Sequence, residues 1–178
     1  MCGISGVIYR DGRTPPAELL RTMATAQAHR GPDGEGVHVF PGGGLAHRRL
    51  AIIDLSPDAA QPMSTDDGSV WIAFNGEIYN FRELRAELEG LGHRFKSQSD
   101  TEVILAAWLQ WGQRAIGRLD GMFAIALWDG RSRQLLLARD RTGKKPLYVY
   151  EDTEKLVFGS EIKTILSHPN INTREWPE

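Results

Sequence analysis

A layered α+β domain, with antiparallel sheets packed against helices, is the fold class this sequence predicts. Three observations lead there. Short strand patterns occupy both ends of the chain, and two helix patterns with capping residues lie between them. At 178 residues and 41% hydrophobic the chain is long enough to bury one sizeable core.

Each element has a local reason. Gly3 to Tyr9 reads as a buried strand, and Thr14-Pro15-Pro16 then offers a helix start, since proline is tolerated in a first turn. Leu19, Leu20, Met23 and Ala26 form its apolar stripe. The turn-rich segment Arg30-Gly31-Pro32-Asp33-Gly34-Glu35-Gly36 leads to strands at Val37 to Phe40 and Leu45 to Asp54, with Gly42-Gly43-Gly44 at a hairpin tip. A loop through Pro57 and Pro62 precedes a strand, Ser69 to Phe74, that ends at Asn75-Gly76. Asn80 with Glu83 makes a capping-box-like start for a helix with the stripe Leu84, Leu88 and Leu91, closed by Gly92. Ser99 with Glu102 starts a second helix, carried by Val103, Ile104, Ala107, Trp108 and Trp111. Four short strands follow, Met122 to Trp128, Gln134 to Arg139, Leu147 to Tyr150 and Lys155 to Gly159, and then a short helix from Glu161 to Leu166. The expected domain is 1–167, with the polar tail 168–178 a linker.

Composition excludes several classes of function. A net charge of −2 gives no general pull toward nucleic acid or anionic membrane, so neither is an expected partner. One cysteine cannot form an internal disulfide, no signal peptide is evident, and no apolar run approaches the roughly 20 residues that span a bilayer, so a cytoplasmic protein is expected. His29, His38, His47, His93 and His168 lack metal-ligand spacing, and no metal is expected. Gly42-Gly43-Gly44 lacks the lysine and hydroxyl residue of a phosphate loop. Arg139, Arg141, Lys144 and Lys145 read as a solvated basic face, and the Arg30–Asp33 turn as a wall of the site without chemistry of its own.

Chemistry concentrates at two places. Cys2 follows Met1 directly, so loss of Met1 would leave one residue bearing both a thiol and a free α-amine. Their ordinary pKa values, roughly 8.5 and about 7.7–8.0, are close enough for proton exchange near neutrality, which sets a base beside its nucleophile. Gly3 allows backbone or substrate to approach. A lone cysteine is also a common small buried hydrophobe. The second place is Asn75-Gly76-Glu77-Ile78-Tyr79-Asn80. Asn-Gly is a hairpin-turn dipeptide, yet a helical pattern follows it here. The Asn75 amide and the Gly76 N–H, aimed at one point, would form an oxyanion hole.

Together, Cys2-Gly3-Ile4 and Asn75 to Asn80 resemble the class II glutamine amidotransferases, most nearly the glutaminase half of the glutamine-hydrolysing asparagine synthetases. Arg30–Asp33, His47–Leu50, Ser99-Asp100, Gly121–Ala124, Arg139–Arg141 and Lys145–Tyr148 extend the resemblance over nearly the whole chain. It implies a four-layer α/β/β/α sandwich of the N-terminal nucleophile hydrolase type. It further implies that Cys2 attacks the glutamine side-chain amide and forms a thioester, with Asn75 and Gly76 holding the oxyanion. Arg49 would clamp the α-carboxylate, for which a guanidinium fork is well shaped. Asp100 would accept from the α-ammonium, helped by Glu77 and by the backbone around Leu50 and Ile52. Read without the resemblance, Arg49 is a surface arginine and Asp100 a helix cap. No cofactor is expected in this domain. The pyrophosphate loop of a synthetase is missing, so ATP and Mg belong to a separate synthetase domain or subunit that receives the ammonia, and a homodimer is left open. The alternatives are a glutamine-sensing or docking module without turnover, or an amidotransferase serving an acceptor other than aspartate.

Overall fold

The computed structural model describes residues 1–52 and 54–171. In chain order its elements are β1 (Gly3–Tyr9), α1 (Ala17–Ala26), β2 (Gly34–Phe40), β3 (Gly43–Arg49), β4 (Met63–Ser64), β5 (Val70–Ile78), α2 (Phe81–Gly90) and α3 (Asp100–Trp111). There follow β6 (Gly121–Asp129), β7 (Gln134–Arg139), β8 (Tyr148–Glu151), β9 (Lys155–Gly159) and α4 (Ile162–Leu166). The strands make a five-stranded sheet in the order β2-β3-β1-β9-β8 and a four-stranded sheet in the order β4-β5-β6-β7. Every pairing is antiparallel.

Strand alternation sorts side chains into three apolar layers. Along β1, Ile4 points inward between the sheets while Val7 and Tyr9 point outward, where they meet Leu20, Met23 and Ala24 of α1 and Ile165 of α4. Along β5, Ala73 points inward while Val70, Ile72, Phe74 and Ile78 point outward onto Leu84 and Leu88 of α2 and Val103, Ile104 and Ala107 of α3. The layer between the sheets contains Ile4, Phe40, Leu45, Ala73, Ala124, Ala126, Trp128 and Phe158. Phe158 fills the space over Gly6 so closely that a Cβ there would lie 2.5 Å from its ring. Helix, sheet, sheet, helix is therefore the order of layers, as expected.

Several local readings are corrected. β5 does not end at Phe74 but runs through Asn75-Gly76 to Ile78, because β6 pairs with it along its whole length to Gly121. β3 stops at Arg49, five residues before the expected Asp54. Asn80 makes no side-chain cap to α2; its amide instead donates to the Arg118 carbonyl and its oxygen accepts from the Asp120 N–H, tying α2 to the entry of β6. Ser99 does cap α3, accepting from the Glu102 N–H. Gly3 leaves room for the buried Gln27 side chain, not for substrate. The packed body extends past residue 167: His168 is buried with its Nε2 hydrogen-bonded to the Tyr9 hydroxyl, and Ile171 joins the outer layer over β1. The remainder of the expected linker, 172–178, lies outside the described residues.

Phe158 has no solvent exposure and sits between the two sheets. Phe158→Ala should cost about 3–5 kcal/mol in equilibrium urea denaturation, the usual penalty for truncating a fully buried aromatic side chain. A loss under about 1 kcal/mol would place this residue outside a close-packed layer.

Candidate active site

The same alternation that builds the core puts the predicted residues together. Continuing β1 back by one residue turns Cys2 to the inner side with Ile4, and Asn75 shares the inner side of β5 with Ala73. A cleft opens where these positions face one another. Cys2, Arg49, Leu50, Ile52, Asn75, Gly76, Glu77 and Asp100 all line it, together with Met1, Asp54, Gln61, Thr101, Met122 and Lys145. Ile52 stands at its mouth, 71% exposed.

Cys2 is held through its sulfur and its carbonyl. Its Sγ lies 3.6 Å from the Leu50 carbonyl and accepts from the Leu50 N–H at 3.4 Å. Arg30 Nε donates to the Cys2 carbonyl at 2.9 Å, while its Nη1 meets Glu161 at 3.3 Å. The turn that carries Arg30 also braces the opposite wall: the Asp33 N–H donates to the Arg49 carbonyl, and the Asp33 carboxylate accepts from the Ala51 N–H, both at 2.9 Å. Burial pushes the Cys2 thiol pKa up, while the Leu50 N–H, the terminal ammonium and Arg49 favour the thiolate and Asp100 disfavours it. The net direction is upward, so the nucleophile needs a base to remove its proton.

Asn75 is 1% exposed, and its Nδ2 has no hydrogen-bond partner among the described residues. A buried amide donor normally finds an acceptor, and leaving one unmade costs about 1–3 kcal/mol. The residue before it is held tightly. β4 pairs only as far as Ile72, so the Phe74 peptide lies past its end. Two side chains take over: the Phe74 N–H donates to Gln61 Oε1 at 2.6 Å, and His47 Nε2 donates to the Phe74 carbonyl at 3.1 Å. Because a carbonyl can only accept, Nε2 carries the proton. Burial pushes the His47 pKa down to about 4, which keeps the ring neutral at physiological pH. Gly76 admits no side chain, since a Cβ would lie 2.3 Å from the Met122 carbonyl.

Opposite charges stand on the remaining walls. Asp100, the first residue of α3, accepts from the Ile78 N–H at 3.0 Å and is 5% exposed. Burial raises its pKa to about 6, against the pull of the Ile78, Asp100 and Thr101 N–H groups. Arg49 donates to the Asp54 carbonyl, and Glu77 is exposed at the rim. One cleft thus offers a cation, an anion, a thiol and an unsatisfied amide donor, a set that suits a zwitterionic amino acid with a carbonyl to be attacked. Among the described residues no group of His, Cys, Asp and Glu is arranged to hold a metal ion. The Arg30–Asp33 turn forms a wall of the site as read from sequence, whereas His47, Gln61 and Lys145 were not singled out for it. His47 and Gln61 act through contacts 27 and 13 residues away that no local pattern reveals.

The chain is similar to known proteins over nearly its whole length. Residues 1–175 match the model of the glutamine amidotransferase domain family. Asparagine synthetase [glutamine-hydrolyzing] 2 of Bacillus subtilis is 42% identical across 100% of this chain but 24% of its own length. Asparagine synthetase B of Escherichia coli is 39% identical across 93% of this chain and 30% of its own. Amidase chry2 of Gibberella zeae is 39% identical across 94% of this chain and 26% of its own. The chain therefore spans only about a quarter to a third of the length of these relatives. Among solved structures, glutamine phosphoribosylpyrophosphate amidotransferase from B. subtilis superposes with a TM-score of 0.79 at 22% identity, over 93% of this chain and 43% of that one. This likeness shows the fold.

Asp100 supplies a pH test. Its folded pKa of about 6 lies above the ordinary 3.8, so its charged form opposes folding: the penalty is absent below about pH 4, grows to about pH 6 and is constant above. Asp100→Asn keeps an oxygen for the Ile78 N–H and should be more stable than the wild type by about 1–3 kcal/mol above pH 7, the two converging below about pH 4. Urea denaturation at both pH values checks this, and equal stability at high pH would contradict it.

Proposed function

The chain belongs to the glutamine amidotransferase domain family, and from that premise we propose that it hydrolyses the side-chain amide of glutamine to glutamate and ammonia. The observation that carries this reading is the unpartnered Asn75 amide in the cleft that also holds the Cys2 sulfur. A donor left unsatisfied in the resting protein is satisfied when a carbonyl oxygen becomes an oxyanion, which is the condition for stabilising a transition state more than a ground state.

The steps follow from the residues. Removal of Met1 frees the α-amine of Cys2, which takes the thiol proton, directly or through one water. The thiolate attacks the glutamine side-chain carbonyl carbon, and the oxyanion is held by the Asn75 Nδ2 and the Gly76 N–H. Collapse breaks the C–N bond. The α-ammonium returns its proton to the departing nitrogen, which leaves as ammonia, and a thioester to Cys2 remains. Water then adds to the thioester carbonyl with the amine again as base, and the tetrahedral species releases glutamate and restores the thiol. Arg49 binds the α-carboxylate and Asp100 the α-ammonium, so the reacting end is the only one left facing Cys2. No step draws on a cofactor.

Ammonia made in this way is useful where it is consumed. The bacterial relatives are named as glutamine-hydrolysing asparagine synthetases, which supports a synthetase domain or subunit as the partner that consumes the ammonia; an ATP-dependent partner acting on aspartate in the cytoplasm completes the proposal. The similarity to a protein named as an amidase favours keeping a second reading, the same glutaminase chemistry serving another acceptor. Among the described residues no helix is long and apolar enough to cross a membrane.

In a glutaminase assay on the Met1-free chain, Cys2→Ala should abolish turnover. Asn75→Ala should lower kcat by about 100- to 1,000-fold with KM for glutamine changed far less, as for loss of one oxyanion donor. Undiminished turnover in Cys2→Ala, or an Asn75→Ala effect confined to KM, would reject the mechanism.

A further inference from the structure

Lys144 and Lys145 are adjacent in sequence and opposite in environment. Lys144 is exposed, whereas Lys145 is 8% exposed and lines the cleft that holds Cys2 and Asn75. The expected solvated basic face is therefore wrong at this residue. Its backbone is fixed on both sides: its N–H donates to Asp140 Oδ2 at 3.0 Å and its carbonyl accepts from Arg139 Nε at 2.7 Å. Asp140 Oδ2 also accepts from the N–H of Phe123, the β6 residue paired with Gly76. The turn that presents Lys145 is thus tied to the strand behind Asn75-Gly76. Nothing corresponding is provided for the ammonium, which makes no ion pair or hydrogen bond among the described residues. The side chain is largely buried while its ammonium has no carboxylate beside it among the described residues, so a negative charge entering the cleft would gain a charge-assisted partner there.

Resting on the glutaminase reading above, we propose that Lys145 is a specificity-determining residue for the reacting end of the substrate, where its cation recognises negative charge at the side-chain carbonyl. Arg49, at the end of β3, and Asp100, at the start of α3, serve the α-carboxylate and α-ammonium. Lys145 lines the same cleft from the turn that Asp140 ties to Phe123 of β6, the residue paired with Gly76. The side-chain amide of glutamine is neutral, whereas the tetrahedral oxyanion and the carboxylate of product glutamate each carry one negative charge there. Lys145 therefore binds the product and the intermediate better than the substrate.

Binding to the Met1-free Cys2→Ala chain, which cannot turn over, tests this by calorimetry with L-glutamate and L-glutamine. Lys145→Met should weaken glutamate binding about tenfold or more while changing glutamine binding less than about threefold. Lys145→Arg should retain most of the glutamate affinity, and Lys144→Met, which removes an equal charge from the exposed neighbour, should change neither. Far-ultraviolet circular dichroism and a thermal melt establish that each variant is folded, and a Lys145→Met that unfolds leaves the Lys145→Arg and wild-type affinities to decide. Equal losses for both amino acids, no loss for either, or a wild-type preference for glutamine that Lys145→Arg leaves in place would overturn the inference while leaving the glutaminase reading intact. If the Cys2→Ala chain binds neither amino acid, that reading falls and the inference with it.

Discussion

Two sheets pressed face to face set the distance between the groups that matter. Cys2 leads directly into a strand of one sheet and Asn75 belongs to the other, with no covalent link between them nearby. Their separation depends on how Ile4, Leu45 and Phe158 pack against Ala73, Ala124 and Ala126. Small residues on the β5 and β6 side let the larger ones opposite seat closely, and close-packed interiors transmit shifts instead of absorbing them. The His47 bond to the Phe74 carbonyl crosses the same gap at the residue before Asn75. It fixes by direction what packing fixes by shape. A charged imidazole would serve the purpose less well, since it would bury an unpaired charge, and burial keeps this one neutral.

Against this rigid background the polar groups of the cleft are left incomplete. Among the described residues Asn75 Nδ2 lacks an acceptor and Lys145 has no anion, while Asp100 is raised toward neutrality by burial. In a core chosen for stability alone such groups would be paired or replaced by apolar side chains. They occur together in one cleft, around the only thiol of the chain. In the proposed reaction each has a counterpart on a glutamine molecule that is becoming glutamate: the amide donor for the oxyanion, the carboxylate for the ammonium, the lysine for the charge gained at the reacting end. Ligand binding would thus complete what folding leaves open.

Much of this was legible in the sequence, unevenly. The strands β1, β7 and β9 and the Ser99 cap depend on local patterning, and their readings held. Asn75-Gly76 misled as a strand end, because the pairing of β5 with β6 that carries the strand to Ile78 joins residues far apart in sequence. Asn80 misled as a cap for a similar reason: the Asp120 N–H and the Arg118 carbonyl, nearly forty positions away, compete successfully for its side chain. The two lysines before Pro146 look alike on paper, and only the Asp140-centred turn decides which is buried. His47 and Gln61 act on a peptide group exposed by the early end of β4, a feature with no sequence signature.

The central claim is that Cys2, with its α-amine freed, attacks a carbonyl held by Asn75. Trapping with a glutamine-shaped diazo ketone, followed by peptide mapping, tests it most directly. The account predicts a single adduct on the Cys2 sulfur of the Met1-free chain, formed much more slowly when Met1 is retained or when Asn75 is replaced by alanine. Equal labelling rates in all three forms, or an adduct at any other residue, would contradict it.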